Sequence, residues 1–301
     1  MQYETYTVPA GSRSRPCDGT GTATAGKQRQ ETIQAQTGEG VARPDIRTKL
    51  YWAINNNLVL IGRHLGHLTR SPDQLFTALM LPATLLLLFR FMFGGAIDVG
   101  NTAHVNYLVP GILVISITMI AVSTSVAVQS DMQEGVVDRY RTIAMADSAV
   151  IIGHVVAAVF RAAISLVAMV GLGIAVGFRP ASSALDWVLV AGTLLLFALA
   201  LAWVAAALGL VAVSADGASG LGLILMFSPY TSSAFVQPES LPDGLRGFVE
   251  HQPVTLVVDT VRGLLLGLPV GNTGWYVVTW WVAILGVAAP VATRLYHRRY
   301  A

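Results

Sequence analysis

Apolar residues in this chain fall in long unbroken runs, not in the alternation of a sheet or the narrow stripe of a soluble helix. Six runs, over residues 75–97, 106–129, 149–177, 186–213, 217–236 and 273–294, dominate the sequence. Each is near or above the roughly 20 residues that a helix needs to cross a bilayer. The pattern predicts an all-α polytopic membrane protein with six transmembrane helices. The segment 237–272 is different. Pro238, Pro242, Pro253 and Pro269 divide it, and its apolar run VTLVVDTVRGLLLGL has fifteen residues with Asp259 and Arg262 inside. That length and punctuation predict short external re-entrant helices between spans five and six. Asp259 and Arg262, at i and i+3, are close enough to pair, and are expected in a cap over the exit of the bundle. If their pairing is what matters, exchanging the two charges should preserve most of the function.

Ahead of the first span, residues 46–73 repeat Leu50, Ile54, Leu58, Ile61, Leu65 and Leu68 at helical spacing, with Arg47, Lys49, Arg63, His64 and His67 between them. A basic amphipathic helix of this kind lies in the membrane interface. Residues 1–45 have almost no large apolar side chain, so burial cannot offset their ordering entropy, and a disordered cytoplasmic tail is expected. Residues 74–301 then form the six-span domain. Within the tail, GTATAGKQ falls short of a phosphate-binding loop, because Gln28 stands where a Ser or Thr would bind magnesium and no apolar strand precedes it.

Composition agrees with the pattern. Hydrophobic residues make up 54% and charged residues 12%, against about 25% charged in an average soluble protein. A net charge of +2 is too small to suggest a nucleic-acid partner. One cysteine, Cys17, can form neither an internal disulfide nor a zinc site. The placement of charge says more than its sum. Fourteen Lys or Arg lie in residues 1–73, in the loop after the second span and at the C-terminus, against Arg179, Arg246 and Arg262 in the opposite loops. The excess places both termini in the cytoplasm. Two Lys against seventeen Arg hint at a GC-rich bacterial genome, so the expected location is a bacterial plasma membrane.

Charges inside the spans narrow the mechanism. Arg90 lies in the first span and Arg161 near the middle of the third, and no Asp or Glu lies at depth. Proton-coupled pumps use acidic or His relays there. His154, Ala158, Arg161 and Ser165 share one face of the third span, which should look into protein or a wet cavity; Arg90 can reach outward toward Asp98. Gly217-Ala218-Ser219-Gly220 spells the surroundings of an intramembrane serine nucleophile, but only His154 lies at comparable depth to serve as its base. The histidines are scattered without metal-ligand spacing, so no catalytic residue, metal or bound cofactor is expected. Gly173 with Gly177, and Gly263 with Gly267, have the spacing of close helix packing. Met119, Arg161, Phe227, Tyr230 and Phe235 are candidates to line a pathway for an amphiphile.

The loop SDMQEGVVDRYRTIAMADS, between spans two and three, sorts into an apolar stripe of Met132, Val136, Tyr140 and Ile143 and a charged one of Asp131, Glu134, Asp138 and Arg141. A short helix of this kind can transmit force to a soluble partner; the spacing fits equally a solvated turn that only joins the two spans. DMQEGVVDRYRTIAMADSAVIIGHV resembles the EGV-x-DR-aromatic-R stretch of daunorubicin-resistance-type permeases, membrane subunits of type-2 ABC exporters. SPYTSSAFVQPESLPDGLRGFVEHQPVTLVVDTVRGLLLG resembles their fifth span and following external loop. The family usually has Leu-Pro where this chain has Ile143-Ala144, and the long polar tail is atypical. The resemblance, from about Arg47 to the C-terminus, implies a permease of an ATP-driven exporter of amphiphilic drugs or lipid-like molecules. It implies Glu134, Gly135, Asp138, Arg139 and Arg141 as the coupling motif, a separate ATP-binding subunit that carries ATP and magnesium, and a second permease subunit, identical or related. An ion-coupled secondary transporter and a non-transporting membrane scaffold are the alternatives. Cysteine labelling should place residues 140 and 298 inside and residue 245 outside; labelling at 245 only from the cytoplasm would overturn the six-span order.

Overall fold

A computed structural model describes residues 72–92, 104–134, 149–235 and 242–300. The chain divides into two compact units, Met1–Lys49 and Leu50–Ala301, and every described residue belongs to the second. The expected tail, nearly all of the interfacial helix and Asp98 lie outside the described residues. Eight helices are described: α1 Pro72–Phe91, α2 His104–Gln133, α3 Ala149–Ala175, α4 Ala184–Val211, α5 Ala215–Phe227, α6 Asp243–His251, α7 Pro253–Leu266 and α8 Thr273–Tyr300. No strand occurs among the described residues.

Four of these helices, α2, α3, α4 and α8, are long and apolar enough to cross a membrane. α1 carries a shorter apolar stretch, Ala78–Phe91. The fifth expected span departs from a continuous helix. α5 has 13 residues, about 20 Å at 1.5 Å per residue, and turns occupy residues 228–235. Pro229 supplies no backbone N–H to extend the helix, and the hydroxyls of Ser228 and Ser232 donate to Leu225 O and Pro229 O at 2.8 and 2.5 Å. These local bonds replace the regular helix by successive turns where the apolar run alone suggested a straight span. Between α5 and α8, α6 and α7 are the short helices that the proline-divided segment suggested.

α2 is the axis of the bundle. It packs against α1, α3, α4, α5 and α7, while α8 packs on α4 and α7. Leu108, Val109, Ile112, Leu113, Val114, Ile115 and Ile117 are buried almost completely. Hydroxyl residues along α2 are satisfied locally: Ser116, Thr118 and Thr124 donate to the carbonyls of Ile112, Val114 and Ile120 at 2.7–2.9 Å. Caps at the helix starts follow the same rule of internal satisfaction. Ser183 and Asp186 form a capping box at α4, and Ser214 accepts from Gly217 N at α5.

The glycines flagged by spacing act differently from one another. Gly177 (φ 108°) and Gly267 (φ 66°) occupy left-handed positions that end α3 and α7. A Cβ at Gly263 would lie 2.9 Å from Val270 and one at Gly173 3.3 Å from Val109 of α2, and approaches as tight or tighter occur at glycines that the spacing did not flag. A Cβ at Gly209 of α4 would lie 2.4 Å from Ser125 O of α2, one at Gly222 of α5 would lie 2.9 Å from Val122, and one at Gly111 of α2 would lie 2.7 Å from Ala234. At Gly192 of α4 it would meet nothing within 4 Å. Gly209→Ala should therefore cost about 1–3 kcal/mol through forced separation of α2 and α4. Gly192→Ala should stabilise α4 by about 0.5–1 kcal/mol. Unfolding of the two variants in detergent micelles measures the difference.

Candidate functional site

Polar side chains join α2 to α3 at two heights. Near their adjoining ends, His154 Nε2 lies 2.9 Å from Asp131 Oδ2. Midway along α3, Arg161 Nη2 donates to Thr124 Oγ1 at 3.1 Å. His154, Ala158, Arg161 and Ser165 are all buried, so the face they share looks into protein, as their spacing implied. The spacing could not reveal that α2 runs on to Gln133, beyond the expected end of its span, which carries Asp131 onto the helix beside His154. Asp131 sits two residues from the end of α2, with its side chain 32% exposed, so it adds no carboxylate at mid-depth. Arg161 is bonded to protein. Ser219, just past the first turn of α5, is exposed, and His154 is engaged with Asp131, so the GASG letters mark a helix start.

Arg90 behaves as a helix cap. It sits in the last turn of α1, and its Nε donates to Val176 O just beyond the end of α3 at 3.2 Å. A guanidinium there satisfies an otherwise orphaned carbonyl and opposes the negative end of the helix dipole.

Three of the five pathway candidates meet in one aromatic row. Phe235 stacks on Phe89 of α1 at 4.9 Å between centroids and on Tyr230 at 5.7 Å, and Tyr230 lies 6.5 Å from Phe227. Phe227 is 58% exposed and Tyr230 is 36% exposed, so the row begins on α1 and opens at the end of α5. Phe89 was missed by sequence reasoning, because nothing along the chain links it to position 235. Met119 is half-buried against the core of α2, and Arg161 is buried between α2 and α3. Neither contact places them with the aromatic row.

Asp259 and Arg262 of α7 do pair, at 2.7 Å. Their partners go well beyond the pair. Arg262 Nη2 donates to Ser233 O at 2.7 Å, its Nε lies 3.4 Å from Tyr107 O, and its guanidinium lies 3.8 Å above the Tyr107 ring. Tyr107 donates its hydroxyl to the same Ser233 carbonyl at 3.0 Å, and Ser233 Oγ donates to Asp259 at 2.6 Å. Four residues thus tie the start of α2, the turns after α5, and α7 into one knot. Neighbouring bonds extend it: Gln252 donates to Thr231 O, and Trp281 Nε1 of α8 donates to Pro253 O at 3.3 Å. Of the coupling motif, Glu134 is exposed just past α2, while Gly135, Asp138, Arg139 and Arg141 lie outside the described residues.

The family model described as ABC-2 type transporter matches residues 56–266. That is well over half of the chain, from before α1 to the last residue of α7. The chain belongs to the ABC-2 type transporter family. It is a multi-pass membrane permease of that family. Similar proteins include the daunorubicin resistance ABC transporter permease protein DrrB1 of Streptomyces coeruleorubidus, 28% identical over 250 residues, 83% of this chain and 88% of the relative. Another is the probable doxorubicin resistance ABC transporter permease protein DrrC of Mycobacterium tuberculosis (strain CDC 1551 / Oshkosh), 23% identical over 79% of this chain and 87% of the relative.

In this ABC-2 permease, the knot changes the expectation for exchanged charges. An aspartate at position 262 cannot donate to Ser233 O or Tyr107 O, nor lie as a cation over the Tyr107 ring. The exchange Asp259→Arg with Arg262→Asp should therefore fail as badly as Arg262→Ala, each losing about 1.5–3 kcal/mol per charged hydrogen bond removed. Asp259→Asn keeps an acceptor for Ser233 and should lose less. Thermal unfolding of the purified permease in detergent ranks the three.

Proposed function

We propose that the protein is the membrane-spanning permease subunit of an ATP-driven exporter that moves an amphiphilic small molecule out of the cell. The observation that carries this is the ABC-2 family match, which runs through both the loop between α2 and α3 and the segment containing α7. The drug-resistance names of its relatives support an amphiphilic drug as cargo. ATP and magnesium belong to a separate ATP-binding subunit, and two permease subunits, identical or related, line the pathway. Six spans, with both termini in the cytoplasm of a bacterial plasma membrane, remain the topology that the charge distribution favours.

On this reading α1 and α5 span together with the chain that flanks them: α1 with the residues after Phe91, and α5 with the turns at 228–235. The loop after α2 is the coupling element, with Glu134, Gly135, Asp138, Arg139 and Arg141 facing the ATPase. Force delivered there enters α2 and α3 as a joined pair, because Asp131–His154 and Thr124–Arg161 bridge the two helices. α2 then hands the displacement to α1, α4, α5 and α7, all of which pack on it. That is alternating access driven by the chemistry of a partner. The row of Phe89, Phe235, Tyr230 and Phe227 offers an apolar, stacking surface to cargo, with Met119 and Arg161 deeper in the bundle. The knot around Asp259 and Arg262 closes the external end of α2.

Replacing Glu134 or Arg139 by Ala should leave the permease inserted while weakening its hold on the ATP-binding subunit. Charge-assisted contacts are worth about 1.5–3 kcal/mol, so association should fall about tenfold or more. Co-purification and permease-stimulated ATP turnover, measured with the ATPase encoded beside it, test this. Unchanged association in both variants would reduce the loop to a connector. No association of the unaltered chain with any ATPase would favour a scaffold or an ion-coupled carrier.

A further inference from the structure

One side of α8 is exposed along its whole length, and its chemistry is graded. Tyr276, Trp280, Val287, Val291, Arg294 and Arg298 follow one another at intervals of three, four or seven residues, so they share one face, and all are exposed. The other side, with Val277, Trp281, Ala292 and Tyr296, is buried where α8 packs on α4 and α7. The exposed row starts with aromatic rings, is aliphatic in its middle and ends with two guanidinium groups in the last two turns. At 1.5 Å per residue, about 27 Å of helix separates Tyr276 from Arg294 and about 33 Å separates it from Arg298. Bilayer hydrocarbon is about 30 Å thick. With Tyr276 and Trp280 at one headgroup level, the hydrocarbon ends between the two arginines. α8 contains no acidic residue. Arg246 and Arg262 have carboxylate partners on their own helices, but among the described residues neither Arg294 nor Arg298 has an ion-pair partner.

We propose that Arg294 and Arg298, one turn apart on α8, form a binding site for the headgroup of an anionic phospholipid at the cytoplasmic end of the helix. The site rests on the topology given above, which turns that end inward. The row itself selects the occupant. Its middle is covered by hydrocarbon, and the arginines lie where hydrocarbon gives way to phosphate. Their stems can stay in the apolar layer while the guanidinium groups reach out of it. Two like charges at i and i+4 repel each other on a helix, and an anion beside both removes that cost. A zwitterionic headgroup brings no net charge to the pair, whereas an anionic one does, and basic residues next to a spanning helix are attracted to anionic lipid. A soluble ATPase could reach only the final turns and would leave the rest of the row uncovered. Packing α8 on α8 of a second copy, in the same orientation across the membrane, would set arginine against arginine at equal height.

The test titrates the full chain, purified in detergent, with palmitoyl-oleoyl-phosphatidylglycerol and separately with palmitoyl-oleoyl-phosphatidylcholine, and counts bound lipid by native mass spectrometry. The unaltered protein should bind its first phosphatidylglycerol at least tenfold more tightly than its first phosphatidylcholine. Arg294→Gln with Arg298→Gln should abolish that preference. Arg294→Lys with Arg298→Lys, which keeps both charges, should hold it within threefold. Arg179→Gln, exposed at the other end of the bundle, should leave it unchanged, and circular dichroism should show equal helicity in all four proteins. Equal affinity for the two lipids, full preference in the glutamine variant, or lost preference in the lysine or Arg179 variant overturns the proposal. So does displacement of the lipid by excess sn-glycerol 3-phosphate, which would make this a site for free phosphate. Loss of ATPase co-purification in the glutamine variant, with its lipid preference intact, would assign the arginines to that partner instead. Labelling of a cysteine at 298 from outside would overturn the cytoplasmic placement. The lipid titration involves neither ATP turnover nor export, so failure of the exporter reading would leave its results as they are.

Discussion

Every helix that packs on α2 depends on that helix hiding its own polarity. A buried helix in an apolar solvent cannot leave hydroxyls or backbone groups unmet. Ser116, Thr118 and Thr124 meet the demand by returning their hydroxyls to carbonyls one turn back. Their presence on a fully buried surface then costs little, and it brings small side chains to the axis of the bundle. Gly209 and Gly222 use that gain. They bring α4 and α5 against Ser125 and Val122 at distances that no larger residue could keep. Ser125 itself bonds to Ala218 O of α5 at 3.3 Å. Local satisfaction on one helix permits close packing of its neighbours.

Two clusters of the remaining polarity involve charged side chains on or against α2. Between α2 and α3 it forms the bridges from His154 and Arg161; at the start of α2 it forms the knot of Tyr107, Ser233, Asp259 and Arg262. Both sites attach α2 to elements far away in sequence, and both use charge, whose burial is tolerated only with several partners. Arg262 has four such attachments, to Asp259, Ser233, the Tyr107 carbonyl and the Tyr107 ring.

Much of this was legible along the chain, because the bilayer imposes a length and a polarity that any spanning helix must show in its own residues. The runs behind α2, α3, α4 and α8, the buried face holding His154 and Arg161, and the Asp259–Arg262 pair are all local patterns. The fifth run hid an interruption, since hydropathy counts apolar residues without regard to Pro229 and the serine hydroxyls that end the regular helix after Phe227. GxxxG spacing was right only in part. Gly173 lies close against Val109 of α2 and Gly263 against Val270, but their partners Gly177 and Gly267 end helices with positive φ, and the spacing passed over Gly111, Gly209 and Gly222.

The sequence by itself therefore determined the solvent, the helical class and most of the helix limits, because each follows from consecutive residues meeting a medium of known thickness. Tertiary structure alone decided which side chains share a site. Phe89 stacks on Phe235, Asp131 meets His154, and Arg262 lies over Tyr107, which is 155 residues away. None of these partners is within helical reach of the other, except by the packing of separate helices. Such pairs are set by how the bundle closes on α2, and closure depends on the summed fit of all its faces. No window of the chain contains that information.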